Sequence, residues 1–398
     1  MRPPAWSGGT WLAHYASLVA TTPEGDVQQI TIGGGRVASV GYALEDLTLV
    51  PSRRTRDRSL VDVSWQVDAY RFEAPIVGAP LDAVTSPASA ALLAELGGLG
   101  VLNLEGLWTR YADPTEILVE ISGLEPGPAA TVRLQQLYAE PVKEELIGRR
   151  IEELREGVGF AAASLTPQKV ERWHRAALEA GLDLLVVHGV TVTAQHVGTD
   201  DATPLDLRSF TARYDIPVVV GNVTSAKTAI HLMRTGAVGV LVGGGAASVS
   251  TTPQALGIAV PLATAIAEVA QARTRYLEES GRYVQVIAAG GIRTGGDLAK
   301  AIACGADAVM LGRALAAADE APGRGANWGL SAAHHELPRG CFARVERLGP
   351  LRVVLHGPAH RDDGTVNLIG GLQRAMGVTG YESLARLRDA ELMVRHSG

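Results

Sequence analysis

Cysteine is almost missing from this chain: Cys304 and Cys341 are the only two among 398 residues. That is too few for a disulfide framework or a cysteine-rich metal site, and it suits a reducing cytoplasm. No run approaches the roughly 18 consecutive apolar residues of a membrane span. The N-terminus, despite the apolar stretch from Tyr15 to Ala20, lacks the basic start and continuous apolar core of a secretory leader. A Lys/Arg stripe is also missing, and with a formal net charge of -6 and a pI near 6.0 a nucleic-acid partner has little electrostatic support. The expectation is a cytoplasmic protein with neither a membrane nor a nucleic acid as partner.

What the chain has in quantity is glycine, 46 residues, in a composition 46% hydrophobic and 20% charged. This suits a well-buried core with many close-approach turns and argues against disorder. Residues 1 to about 30 show no sustained period, and we read 1–41 as an N-terminal extension and 42–398 as the folded domain with a C-terminal tail. From about residue 74 short apolar runs alternate with longer segments of helical spacing. The runs are Ala74 to Gly78, Gly100 to Asn103, Phe160 to Ser164, Asp183 to His188, Ile216 to Val220, Val238 to Val242, Gln285 to Ala289 and Asp307 to Leu311. Helices are expected at Pro87 to Leu96, Pro167 to Ala180, Ser225 to Thr235, Pro253 to Glu279 and Gly296 to Cys304, several opening on Pro or Ser as helix N-termini prefer.

Buried-type strands alternating with helices predict an α/β fold, a (β/α)₈ TIM barrel. The alternative is an open doubly wound sheet, but no Gly-rich turn with a following acidic residue leads the first strand. Active sites in such barrels gather on the loops after the strands' C-terminal ends. The sixth run is followed by Gly243-Gly244-Gly245-Ala246-Ala247-Ser248-Val249-Ser250-Thr251-Thr252, the seventh by Gly290-Gly291-Ile292-Arg293, and the eighth by Gly312-Arg313. Glycine lets backbone N–H groups close around an anion, and Arg313 would add a charge-assisted contact. A tight βα connection for the first loop and a plain surface charge for Arg313 remain open readings. His334-His335-Glu336 has a superficial metal-ligand look, but its spacing matches no zinc helix pattern, and no metal is expected.

These residues carry a resemblance. Ala288-Ala289-Gly290-Gly291-Ile292-Arg293, Gly305-Ala306-Asp307-Ala308-Val309-Met310-Leu311-Gly312, Glu320-Ala321-Pro322-Gly323 and Gly370-Gly371-Leu372-Gln373-Arg374-Ala375-Met376-Gly377 are similar to the signature of the IMP dehydrogenase/GMP reductase family. The chain resembles the branch without CBS domains, since about 55 residues separate runs two and three. The resemblance implies hydride transfer between a purine nucleotide and NAD or NADP, and a homo-oligomer, tetramer or octamer. It puts substrate contacts on Gly245, Ser248, Asn222, Gly290, Gly291, Gly312, Arg313 and Arg339, and cofactor contacts on His188 and Thr252.

It also exposes departures. The family's catalytic cysteine position is Ser250, and a serine needs a positioned base where a thiol needs only modest tuning. Ala289 stands where the family has a ribose-binding aspartate, and Val187-His188-Gly189 stands where an aspartate follows strand four. Arg339 replaces an acidic base-reading residue. Three readings follow: an NAD(P)-dependent purine-nucleotide oxidoreductase, a catalytically inactive paralogue binding a phosphorylated purine-type ligand for regulation or assembly, and a redirected enzyme acting on a modified purine or a smaller phosphate ester.

Overall fold

The computed structural model describes residues 28–195, 205–244, 249–329 and 341–395. Gly245, Ser248, Arg339 and the His334-His335-Glu336 segment lie outside these, as do residues 1–27 of the expected extension. The chain divides into two compact units, Met1–Gly41 and Tyr42–Gly398. The described part of the first is an antiparallel hairpin of β1 (Gln29–Thr31) and β2 (Val37–Ser39) turned by Gly33, Gly34 and Gly35, all at positive φ.

In the second unit β3 (Leu47–Leu49) precedes a hairpin, β4 (Trp65–Val67) with β5 (Tyr70–Phe72), and then the barrel begins. Its strands are β6 (Ile76–Gly78), β7 (Leu99–Gly100), β8 (Leu102–Asn103), β9 (Ala162–Leu165), β10 (Leu184–His188), β11 (Val218–Val223), β12 (Gly239–Val242), β13 (Gln285–Ala289) and β14 (Ala308–Leu311). All pair in parallel, in the order β7-β6-β14-β13-β12-β11-β10-β9-β8. Because β7 and β8 are halves of one stretch interrupted only at Val101, the two ends of the list are the same piece of chain. The sheet therefore closes, and the expected (β/α)₈ barrel is what forms. Burial on both faces explains the composition: the barrel strands from β9 to β14 are almost entirely buried, which selects unbroken Val, Leu and Ala runs over alternating ones.

The helices in chain order are α1 (Pro87–Glu95), α2 (Thr115–Ser122), α3 (Pro128–Leu137), α4 (Glu144–Val158), α5 (Pro167–Glu179), α6 (Leu207–Arg213), α7 (Ala226–Met233), α8 (Thr252–Leu256), α9 (Leu262–Ser280), α10 (Gly295–Ala303), α11 (Arg313–Ala316), α12 (Leu351–His356), α13 (Leu368–Thr379) and α14 (Leu384–Leu387). Two expectations need correcting. The single helix expected from Pro253 to Glu279 is two, because Gly257 ends α8 in the left-handed region at φ 68° and Pro261 caps the start of α9. The fifth strand runs on to Val223, since the backbone of Asn222 bonds to Gly189 O in the neighbouring loop instead of turning away.

Trp65 and Val67 of the β4–β5 hairpin meet Val77, Leu99, Leu184 and Met310 inside the barrel, and Tyr70 and Phe72 pack on Phe160 just before β9. The hairpin thus plugs the N-terminal end and leaves the C-terminal end for the site. Further along, β17 (Leu392–Val394) returns to pair with β3, and α13 crosses α10 where a Cβ on Gly295 would lie 2.8 Å from Gly371 Cα.

Polar stability is concentrated at the same plugged end, at the start of β14. Asp307 accepts hydrogen bonds from Val286 N (2.7 Å), Tyr283 Oη (2.6 Å) and Arg273 Nη1 (3.1 Å), and also from Arg388. Burial would raise its carboxyl, but Arg388 and Arg273 outweigh burial and hold it below the usual range. Removing this carboxylate leaves two guanidinium groups in the interior without their counter-charge. Asp307→Ala should therefore cost about 3–5 kcal/mol in urea unfolding. Since the native carboxyl is depressed, the wild-type contribution is present above the unfolded-chain value and fades as pH falls through the native one. A loss below about 1 kcal/mol would show that the cluster does not bear on stability.

Candidate active site at the C-terminal mouth of the barrel

Each barrel strand delivers its last residues to one rim. In the middle of that rim stand His188 ending β10, Asn222 in β11, Gly243 and Gly244 after β12, and Ala289 with Gly290 at the end of β13. Among these described positions none is acidic. Asn222 sits where the β11–β12 register shifts between Gly221 and Val223, an irregularity that re-aims a side chain. Its Nδ2 donates to Gly189 O (2.9 Å) and to His188 Nε2 (3.2 Å). With Nε2 accepting, the ring proton belongs on Nδ1. Burial lowers the His188 pKa to about 4, so the imidazole is neutral at physiological pH although one edge keeps partial exposure. Two residues expected to serve different ligands are therefore one hydrogen-bonded unit.

The glycines around them are sterically required. A Cβ on Gly243 would lie 2.3 Å from Ala289 O, and one on Gly221 would lie 2.4 Å from Leu241 O. Gly290 and Gly291 follow β13 at φ 97° and 73°, conformations that side chains rarely adopt. On the adjacent strand Gly312 caps α11, and Arg313 is exposed with no side-chain ion pair among the described residues. Gly290, Gly291, Gly312 and Arg313 are thus together on neighbouring strands β13 and β14, which pair through Ala289 and Met310.

Ser250 lies on the loop leading into α8, and Thr252 is the first residue of that helix. Ser250 Oγ donates to Thr252 Oγ1 (3.0 Å) and accepts from Thr252 N (3.3 Å). Thr252 is only 1% exposed, so its hydroxyl is spent inside the loop. No titratable base is among the described partners of Ser250. Cys341, remote in sequence, bonds through its N–H to Val249 O (3.1 Å), one residue from Ser250. Cys304 is buried in the barrel's outer layer, where burial pushes its thiol up to about 11.

Sequence reasoning missed a buried polar chain on the β6 side of the same rim. Asp82, after β6, accepts from Leu107 N (3.1 Å) and from the Tyr138 hydroxyl, and Trp328 Nε1 donates to Tyr138 Oη (2.8 Å). Asp82 is 2% exposed and Trp328 1%. Burial lifts the Asp82 carboxyl to about 6 against the pull of Tyr138 and the Leu107 N–H. Beside it Glu105 accepts from Thr166 N, and burial raises its carboxyl too. The signal that could have found them is position: an acidic residue within a few places of a barrel strand's C-terminal end.

Comparison with known proteins agrees with this architecture. Residues 41–398 match the model of the IMP dehydrogenase / GMP reductase domain. An uncharacterized oxidoreductase of Mycolicibacterium smegmatis is 48% identical over 374 residues, which cover 92% of this chain and 99% of the relative. The inosine-5'-monophosphate dehydrogenase of Escherichia coli K12 is 28% identical over 482 residues, covering 91% of this chain and 95% of that enzyme. A crystal structure of an IMP dehydrogenase/GMP reductase-like protein from Corynebacterium glutamicum superposes with a TM-score of 0.87 at 43% identity, over 92% of this chain and 98% of that one. With its barrel, its glycine-lined rim and a family match that spans nearly all of the second unit, the chain belongs to the IMP dehydrogenase/GMP reductase family of oxidoreductases.

Proposed function

We propose that the protein is an NAD(P)-dependent oxidoreductase acting on a purine nucleotide, with the phosphate bound at the ends of β13 and β14. The observation that carries this reading is the juxtaposition of Gly290 and Gly291, at positive φ, with Gly312 and the exposed Arg313 on the next strand. Side-chain-free backbone lets amides approach an anion closely, and a guanidinium adds a bidentate, charge-assisted contact. By the resemblance Gly245, Ser248 and Arg339 complete the substrate side.

NAD or NADP would accept or supply the hydride. Of the two residues expected to meet it, Thr252 is buried, whereas His188 keeps an accessible edge, so the neutral His188–Asn222 pair is the better fit to a cofactor's polar groups. The imidazole stands where the family has an aspartate after strand four, whereas Ala289 leaves the other ribose-binding carboxylate unreplaced. Ser250, standing at the family's cysteine position, would position ligand by its hydroxyl. A second reading, a binding paralogue without turnover, is favoured by one observation: the Ser250 hydroxyl is engaged with Thr252 and no base among its described partners could activate it.

Thermal unfolding with IMP, GMP, XMP or ribose 5-phosphate, each with and without NAD⁺ or NADPH, tests these readings. A ligand at about 100 times its Kd adds roughly 2.7 kcal/mol of stability. Stabilisation by a purine nucleotide with cofactor turnover, both lost in Gly312→Glu while the unliganded protein still folds, is the expected result. Stabilisation without turnover selects the binding paralogue, and silence from every nucleotide overturns the purine assignment.

The two perturbed groups of the rim make a separate prediction. Asp82 titrates higher in the fold (about 6) than in the unfolded chain, so its contribution is full at low pH and lost as pH rises through about 6. His188 titrates lower (about 4), so its neutral burial loses stability as pH falls from the unfolded value towards about 4. The slopes oppose one another in the same window. Asp82→Asn should leave a protein whose unfolding free energy falls on acidification between about pH 6.5 and 4, and His188→Gln one whose free energy rises. Parallel slopes in the two variants would refute both assignments.

A further inference from the structure

Beyond the rim, β15 (Ala326–Trp328) and β16 (Phe342–Arg344) form an antiparallel hairpin that bridges it. β15 is held on the β6 side, at Trp328 by the Trp328–Tyr138–Asp82 chain and ahead of Ala326 by Gly323 N donating to Ala83 O (3.1 Å). β16 is held on the β12 side by Cys341 N donating to Val249 O (3.1 Å), at the same end of the ladder as Trp328. Register then sorts its side chains, since successive residues of a strand point to opposite faces. Trp328 pairs with Phe342, their rings 6.3 Å apart and 22° from parallel, on the face that meets Tyr138. Asn327 pairs with Ala343 on the other face, which Cys341 continues.

Asn327 is 1% exposed, and among the described residues neither Nδ2 nor Oδ1 has a hydrogen-bond partner. A buried carboxamide with neither end paired is costly, and an apolar residue of similar size would avoid that cost. The strand cannot relax to pair it, because the neighbouring Trp328 is tied to Tyr138. A carboxamide offers a donor and an acceptor side by side, the complement of a heterocycle edge with an N–H beside a C=O.

We infer that Asn327 is a specificity-determining residue, reading the lactam edge of a six-membered ring in a nucleotide bound beneath the β15–β16 hairpin. This rests on the purine-nucleotide reading above and adds to it the group that tells a base from a bare sugar phosphate. Tyr138 and Asp82 act through Trp328 as positioning residues.

The test compares IMP with ribose 5-phosphate by calorimetric titration of the full chain, wild type against Asn327→Leu. The preference for IMP should fall by about tenfold or more, the worth of one or two hydrogen bonds, while the unliganded variant melts no lower than wild type because two unpaired polar ends have left the interior. A second measurement does not depend on that variant: in Cys304→Ser protein, IMP should slow iodoacetamide alkylation of Cys341, on the Asn327 face, more than ribose 5-phosphate does. An undiminished IMP preference in Asn327→Leu, or equal protection by the two ligands, overturns the inference and leaves the purine reading standing. Absence of IMP binding to wild type overturns the purine reading and this inference with it.

Discussion

Closure of the sheet by the five-residue stretch from Leu99 to Asn103 is the constraint from which the rest follows. Leu99 and Gly100 pair with β6, Leu102 and Asn103 pair with β9, and Val101 N reaches back to Gly78 O. A parallel sheet left open here would present two unpaired edges; closed, it has none. The stretch can serve both neighbours only if it lies very close to α1, and a Cβ on Gly100 would sit 2.6 Å from Ala90 Cβ. Closure also fixes where chemistry can occur. Every strand must end on the same rim, and the β4–β5 hairpin occupies the other end, so the polar residues that strands deliver are brought together whatever their separation in sequence.

The two ends divide the labour accordingly. At the plugged end, Asp307 and Arg273 are buried and ion-paired, and the partly buried Arg388 pairs with Asp307 as well, an arrangement suited to holding α9, β14 and the C-terminal segment in register. At the open end desolvation holds His188 neutral, and burial lifts the Asp82 carboxyl to about 6, so that it takes up its proton only in mild acid. At His188, Asn222, Gly243, Gly244, Ala289 and Gly290 an anionic ligand meets no carboxylate. Had a carboxylate followed β10 or stood at Ala289, it would favour ribose hydroxyls but repel a neighbouring phosphate across a short, poorly screened distance.

How much of this was legible in the sequence depended on how local the cause was. The barrel strands read directly, because a strand buried on both faces needs an uninterrupted apolar run and nothing else in the chain looks like Leu184 to Val187 or Val218 to Val220. Helix starts read from Pro87, Pro167 and Ser225: the two prolines open α1 and α5, and Ser225 caps α7. The break between α8 and α9 did not, since helical spacing continues across it and only the left-handed Gly257 with Pro261 ends one helix and begins the next. Nor did Asn222 read as a strand residue, because Gly-Asn is ordinarily turn chemistry and its extended path depends on Gly189 accepting its N–H. The Asp82–Tyr138–Trp328 chain was out of reach for a simpler reason: its partners are 56 and 190 residues apart.

That chain also gives a physical role to the segment between β8 and β9. In place of a regulatory insertion, this chain has three helices, α2 to α4, and Tyr138, directly after α3, supplies the hydroxyl that joins the loop after β6 to β15. Arg110 strengthens the junction from below, donating to Glu105 O (3.1 Å) and stacking over the Tyr138 ring at 5.6 Å. The loop after β6 and the strand β15 therefore share a single buried hydroxyl, and the loop after β8 joins them through Asp82. Shortening or repacking α3 would move Trp328, and with it the face of the hairpin that carries Asn327, without touching any residue on the glycine rim. The geometry of the mouth is consequently set from two directions that can vary independently: the glycines of β12 to β14 define where an anion can sit, and the helices after β8 define what stands above it.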